Sequence, residues 1–319
     1  MRILVTGGAG FIGTNFIRYL LQKYRDYHIV NLDKLTYAGN LKNLEGIEND
    51  RRYSFVKGNI CDKNIVGKAM NGCDIVVNFA AETHVDRAII DAGTFVQTDV
   101  FGSYILLREA RNQKIKRFVQ ISTDEIYGSI ENGSFTEESS INPRNPYSGS
   151  KAGADLLALS FYHTYNLPVI VTRSTNNFGS YQHPEKLIPL FITHLLEGKK
   201  VPLYGDGRNV RDWTYVLDNC EAIDTAMHKG SVGEVYNISS GNEMQNIEIT
   251  RLILEKLGKD ESFIQYVTDR LGHDRRYSIE CKKIKELGWK PKYDFEKALD
   301  KTIQWYNENI PWWKVLKEK

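Results

Sequence analysis

Two short strings carry residues that could do acid–base chemistry together. Ser122-Thr123-Asp124-Glu125-Ile126-Tyr127-Gly128 sets two carboxyls side by side. Adjacent carboxyls repel as anions, so one keeps its proton near neutral pH while the other ionises. That combination suits elimination of water: one group protonates the departing hydroxyl and the other takes a proton from the neighbouring carbon. Tyr147-Ser-Gly-Ser-Lys151 sets a phenol and an ammonium four residues apart, so on a helix both point into one cleft. The cation favours phenolate and is expected to lower the phenol from its usual value of about 10 towards neutrality. The product is a base for a hydroxyl proton while hydride leaves the same carbon. Unplaced, an Asp-Glu pair is ordinarily the favourable start of a helix. An unplaced Tyr-x-x-x-Lys is ordinarily a surface pair, in a chain with 18 tyrosines. Position decides both cases.

Position follows from the elements around these strings. Apolar runs rich in Val, Ile and Phe occupy 2–6, 28–32, 53–57, 74–78, 117–122 and 168–173, as in strands buried on both faces. Amphipathic stretches at 11–24, 94–112 and 147–165 lie between them and read as helices. Strands alternating with helices make βαβ units and a doubly wound parallel sheet. Asp124-Glu125 then falls just past the carboxyl end of a strand, where such sheets bind ligands. Beyond residue 175 the pattern loosens, punctuated by Pro184, Pro189 and Pro202, with further helices expected at 185–197, 216–227, 247–257 and 295–309. The division that follows is a dinucleotide-binding domain over 1–175, completed by about 212–245. A smaller α/β substrate-binding region covers 176–211 and 246–319.

Gly7-Gly-Ala-Gly10-Phe-Ile-Gly13 sits between the first strand and the first helix. Glycine tolerates positive φ and lets backbone approach a pyrophosphate, which meets the N–H groups at the helix start. Asp33 lies 20 residues past Gly13, at the end of the second strand. A carboxylate there accepts from ribose hydroxyls and repels a 2′-phosphate, so NAD is expected over NADP.

A net charge of +2, with basic residues scattered, leaves no footprint of a nucleic-acid binder. The short apolar start is no signal-peptide core, and no run of about 18 apolar residues occurs. Cys61, Cys73, Cys220 and Cys281 are far apart and imply neither a disulfide framework nor a metal site. A soluble cytoplasmic protein with no membrane contact is expected. The aromatic tail, 305–313, reads as packing.

The glycine spacing, GxxGxxG, resembles the extended branch of the short-chain dehydrogenase/reductase superfamily, as does Ser122-Thr123 at a strand end before Tyr147 and Lys151. The match becomes more specific with STDEIYG, with AAETHVDRA at 80–88 and with RSTNNFGSYQHPEKLIP at 173–189. GRNVRDWTYV at 207–216 and GHDRRY at 272–277 extend it. Together these resemble the dTDP-glucose 4,6-dehydratases from residue 1 to about residue 300. The resemblance implies a Rossmann fold and a lyase of deoxysugar biosynthesis, on the rhamnose pathway, using NAD on a nucleotide sugar. It implies that Tyr147 deprotonates the 4-hydroxyl, Glu125 removes the C5 proton and Asp124 protonates the departing 6-hydroxyl. Thr123 would hold the 4-hydroxyl, and Lys151 the nicotinamide ribose.

By the same resemblance the cofactor side comprises Gly7, Gly10, Phe11, Ile12, Gly13, Asp33, Lys34, Leu35, Thr36, Asn59, Ile60, Ala80, Thr98, Tyr147, Lys151 and Asn177. The substrate side comprises His84, Thr123, Asn176, Lys186, Leu187, Pro202, Leu203, Tyr204, Arg211, Asn246, Asp269, Arg270 and His273. Lys186 and Arg211 are the cations a diphosphate would need. A homodimer through the helices at 94–112 and 147–165 is implied as well. Two positions depart from the family pattern: Asn59 where an Asp is usual, and Leu271 where a Pro is common. A dehydratase for UDP- or GDP-linked sugars and a UDP-sugar 4-epimerase share the glycine loop and Tyr-x-x-x-Lys. The epimerases usually have small residues in place of Asp-Glu. A non-catalytic NAD-binding regulator would be expected to have lost the reactive residues, which are all present.

Overall fold

The computed structural model describes residues 1–269 and 272–317. The six apolar runs become β1 (Arg2–Thr6), β2 (His28–Asp33), β3 (Tyr53–Lys57), β4 (Ile75–Asn78), β5 (Arg117–Thr123) and β6 (Val169–Ser174). Shorter strands follow: β7 (Asn176–Phe178), β8 (Val201–Tyr204), β9 (Val210–Tyr215), β10 (Val235–Ile238), β11 (Glu243–Gln245) and β12 (Ile264–Val267). One seven-stranded sheet runs β10-β6-β5-β4-β1-β2-β3, with every neighbouring pair parallel. This is the doubly wound α/β fold. β10 is not among the six runs, because four residues, Val-Tyr-Asn-Ile, make too short a pattern to stand out.

The helices are α1 (Phe11–Lys23), α2 (Lys63–Met70), α3 (Val85–Ile90), α4 (Ala92–Phe95), α5 (Ser103–Asn112), α6 (Pro146–Tyr165) and α7 (Leu187–Leu196). They continue with α8 (Val216–Lys229), α9 (Asn246–Lys256), α10 (Lys282–Glu286), α11 (Phe295–Glu308) and α12 (Ile310–Lys317). Along β1, Ile3 and Val5 join a core with α1 and α8. Leu4, between them, joins the opposite core with α2, α5 and α6. That alternation is why these strands read as continuous apolar runs: helices cover both faces. A three-stranded sheet, β11-β9-β7, and a two-stranded one, β12-β8, make up the rest. Trp312 and Trp313 are buried, their indole N–H groups donating to Asn43 Oδ1 and Tyr306 O, each at 2.8 Å.

The stretch at 94–112 departs from the uniform α-helix expected. Its middle, Val96–Gly102, is π-helical, between α4 and α5. The wider turn carries Asp99 inward, where its carboxylate accepts from Glu82 N at 2.8 Å and Ser150 Oγ at 2.6 Å. A π-turn inside an α-helix commonly marks a functional site. No helix among the described residues is long and apolar enough to cross a membrane.

Candidate active site

The turn after β1 is built as its glycines require. Gly7 has φ +68°, and a Cβ there would lie 2.7 Å from Ala80 N. Gly7 N donates to Leu32 O at 2.9 Å and Gly10 N to Gly7 O at 3.1 Å, which closes the turn. α1 begins at Gly10 with no side-chain cap, so its first N–H groups are left to a ligand. Asp33 is buried at the end of β2, with Oδ2 accepting from Ala9 N at 2.9 Å and Oδ1 from Leu35 N at 2.7 Å. Burial raises its pKa, against those two bonds. A cavity of about 240 Å³ opens here.

Of the residues expected on the cofactor side, Gly7, Gly10, Phe11, Ile12, Gly13, Asp33, Lys34, Thr36, Asn59, Ile60, Ala80, Thr98, Tyr147 and Lys151 line this cavity. Leu35 does not; its backbone has φ +58° and turns the chain at Asp33. Asn177 lines the adjoining cavity instead, and its amide donates to Thr175 O at 2.9 Å. A glycine cradle, an uncapped helix start and a buried carboxylate around one slot fit a dinucleotide such as NAD.

The adjoining cavity, of about 550 Å³, is lined by Thr123, Asp124, Glu125 and Tyr147. His84, Asn176, Lys186, Leu187, Pro202, Leu203, Tyr204, Arg211, Asn246 and His273 line it as well. Asp269 is not part of the lining and makes a 2.6 Å hydrogen bond with His273 Nδ1. Arg270 and Leu271 lie outside the described residues. Both cavities share Phe11, Ile12, Ile121, Ser122 and Tyr147. They also share Thr83, Gln182, Glu185 and Lys186. Thr83, Gln182 and Glu185 belong to strings read as resemblances, yet nothing about their types singled them out.

α6 holds the phenol at this junction. Asn145 caps it, its Oδ1 accepting from Ser148 N at 2.9 Å, and Ser148 Oγ accepts from Asn145 N at 3.3 Å. This reciprocal box fixes the first turn, where Tyr147 sits. Lys151, one turn on, is buried and donates to Ile121 O at 2.7 Å. Burial holds Tyr147 well above its ordinary value, and Glu125, Asp99 and Asp124 add to this, while a hydrogen bond with Thr123 works against it. Burial also lowers Lys151, with Asp99 and Asp155 opposing.

The two adjacent acids open a 3-10 turn, Asp124–Tyr127, capped by Thr123, whose Oγ1 accepts from Glu125 N at 3.3 Å. Asp124 is 2% exposed. Burial first, then Glu125 and Asp212, push its pKa far up. Its surroundings favour the protonated form, and its Oδ2 is buried without a partner among the described residues. Glu125 is less buried, with Tyr277 donating to its Oε2 at 3.4 Å. Ser122 Oγ, Asn176 Oδ1 and Asn246 Oδ1 also line the cavity and are buried without partners among the described residues. Polar atoms in that state call for a polar ligand. His84, at φ +85°, is lowered to about 4 by burial and by Lys186, so it faces the cavity as a neutral imidazole. Two carboxyls and a phenol around one pocket can move three protons on one substrate.

The family model described as GDP-mannose 4,6 dehydratase matches residues 4–302. Low-salt glycan biosynthesis protein Agl12 of Haloferax volcanii is 52% identical over 306 residues, 96% of this chain and 98% of that protein. A dTDP-glucose 4,6-dehydratase of Streptomyces niveus is 48% identical over 322 residues, 99% of this chain and 96% of its own. The crystal structure of the dTDP-glucose 4,6-dehydratase DesIV from Streptomyces venezuelae, with NAD bound, is 48% identical with a TM-score of 0.97. That match covers 99% of this chain and 100% of the other.

Proposed function

The chain belongs to the dTDP-glucose 4,6-dehydratase family, in the extended short-chain dehydrogenase/reductase superfamily, and from that membership we propose how its cleft removes water from a sugar. It is an NAD-dependent hydro-lyase that converts dTDP-glucose to dTDP-4-keto-6-deoxyglucose and water, a step of deoxysugar biosynthesis. The observation that carries the assignment of roles is Asp124, a buried carboxyl beside Glu125 in the cavity that Tyr147 also lines, in surroundings that favour its protonated form.

NAD, when bound, supplies a hydride acceptor at C4 and a hydride donor at C6, and its positive charge favours the phenolate. Tyr147 takes the 4-hydroxyl proton, with Thr123 holding that hydroxyl. Oxidation at C4 acidifies the C5 proton, which Glu125 removes and gives back to C5 once hydride has reached C6. Asp124 gives its proton to the 6-hydroxyl, which departs as water. Lys151 holds the nicotinamide ribose; the Gly7–Gly13 turn and Asp33 hold the pyrophosphate and the adenosine ribose. Lys186 and Arg211 neutralise the sugar nucleotide's diphosphate. Residues 1–175, completed by 212–245, form the cofactor domain, and 176–211 with 246–319 form the sugar-nucleotide domain. Two chains pair through the helices around α5 and α6.

Presenting dTDP-glucose, UDP-glucose and GDP-mannose separately tests both the chemistry and the base. A 4-keto-6-deoxy product from dTDP-glucose, formed faster than from the others, is expected. Epimerised sugar without loss of water would sink the reading.

A further inference from the structure

On α6, Tyr147, Lys151 and Asp155 recur every four residues and form one stripe. Asp155 is fully buried, and its two oxygens accept from Arg173 of β6, from Nε at 3.0 Å and Nη2 at 3.1 Å. The remaining nitrogen, Nη1, donates to the Tyr127 hydroxyl at 2.6 Å. That hydroxyl in turn donates to Asn237 Oδ1 of β10 at 2.9 Å. Tyr127 is the last residue of the turn that starts at Asp124. None of these four side chains lines either cavity. A single guanidinium therefore connects the helix of Tyr147 and Lys151 to the turn of Asp124 and Glu125.

A buried ion pair is a poor source of stability, because desolvating two charges offsets most of their attraction. A forked, planar contact to a carboxylate fixes distance and angle at once. We propose that Arg173, clamped by Asp155 and bonded to Tyr127, is a positioning residue that sets the Asp124–Glu125 turn against the Tyr147–Lys151 face of α6. The proposal rests on the reading that Tyr147 serves the oxidation at C4 and the two acids serve the elimination. Loosening the Tyr127 end moves the turn and leaves α6 clamped. Elimination then slows while oxidation at C4 continues.

The test is Tyr127→Phe in the NAD-loaded enzyme, mixed with dTDP-glucose while reduced nicotinamide absorbance and dehydrated product are both followed. A displacement of about 1 Å at a reacting group costs up to roughly a hundredfold in rate. Product formation is expected to fall about ten- to hundredfold with KM little changed. Reduced cofactor should build up well above the wild-type level, and C5-deuterated substrate should show a larger isotope effect. A purely structural role would lower the active fraction, scaling both phases equally. An unchanged ratio of reduced cofactor to product, with an unchanged isotope effect, would overturn the proposal. Asn237→Ser, which leaves the Arg173–Asp155 fork intact, should move the same ratio in the same direction and serves if the first variant does not fold. Wild-type enzyme that released no dehydrated product would overturn the underlying reading of the acids, a different result from a failed positioning role.

Discussion

The burial that keeps a proton on Asp124 acts against the fold once that proton is lost. Its pKa is raised far above the unfolded carboxyl value, so the favourable contribution is complete below about pH 4. That contribution declines as pH rises towards the folded-state value. An amide at this position has no proton to lose. Asp124→Asn should therefore melt increasingly above wild type as pH is raised from about 4 towards 8, by a few degrees at most. Its dehydration should fall by about 10²- to 10⁴-fold, the usual worth of a positioned proton donor. A melting difference that stays constant across that range would contradict the burial argument. At the neighbouring residue, Glu125→Gln should stop elimination and leave oxidation at C4 partly intact. Reduced cofactor should then appear on mixing with dTDP-glucose and persist; product without any such absorbance would remove Glu125 as the C5 base. Spacing puts Lys151 on the face of Tyr147, while the fold engages Lys151 with Ile121 O and brings Glu125, Asp99 and Asp124 near the buried phenol.

At the scale of elements, the turn from β1 to α1 is the most sharply specified part of the molecule. Gly7→Ala would impose a left-handed conformation on a residue with a Cβ and press that carbon onto Ala80 N. Strain of about 1–3 kcal/mol corresponds to roughly five- to 150-fold weaker NAD binding, measurable by fluorescence titration. Binding at wild-type strength would mean that the loop relaxes without cost. This turn was readable from the sequence because glycine spacing, strand and helix all state the same geometry. The six long strands were readable because helices bury both faces of each, leaving continuous apolar runs. The π-turn at Val96–Gly102 was not, since its cause, Asp99 reaching Glu82 N and Ser150, lies at residues distant in sequence. Likewise, the closing of Thr83, Gln182 and Glu185 around the junction of the cavities depends on chain crossings that no local pattern encodes.

For the whole molecule, the same helices that carry chemistry at one end bear apolar residues on the outside. Ile90 is 87% exposed, Val96 54%, Leu156 52% and Phe101 42%. They lie on α3, on the π-turn and on α6, elements packed against one another. A monomer rarely leaves a large apolar patch in water, and a stable pair of subunits needs roughly 800 Å² from each. A second copy of the chain meeting these helices would bury that patch on both sides of a two-fold axis. Because Tyr147 and Lys151 open α6, subunit pairing would also stiffen the helix that aligns them. Replacing Ile90 and Leu156 together by glutamate should give a particle of half the wild-type mass in light scattering. Its melting temperature should be lower and its dehydration weaker, with the glycine turn and the acid pair untouched. A wild-type protein that is already monomeric at micromolar concentration would rule the pairing out, as would a double variant whose mass stays unchanged.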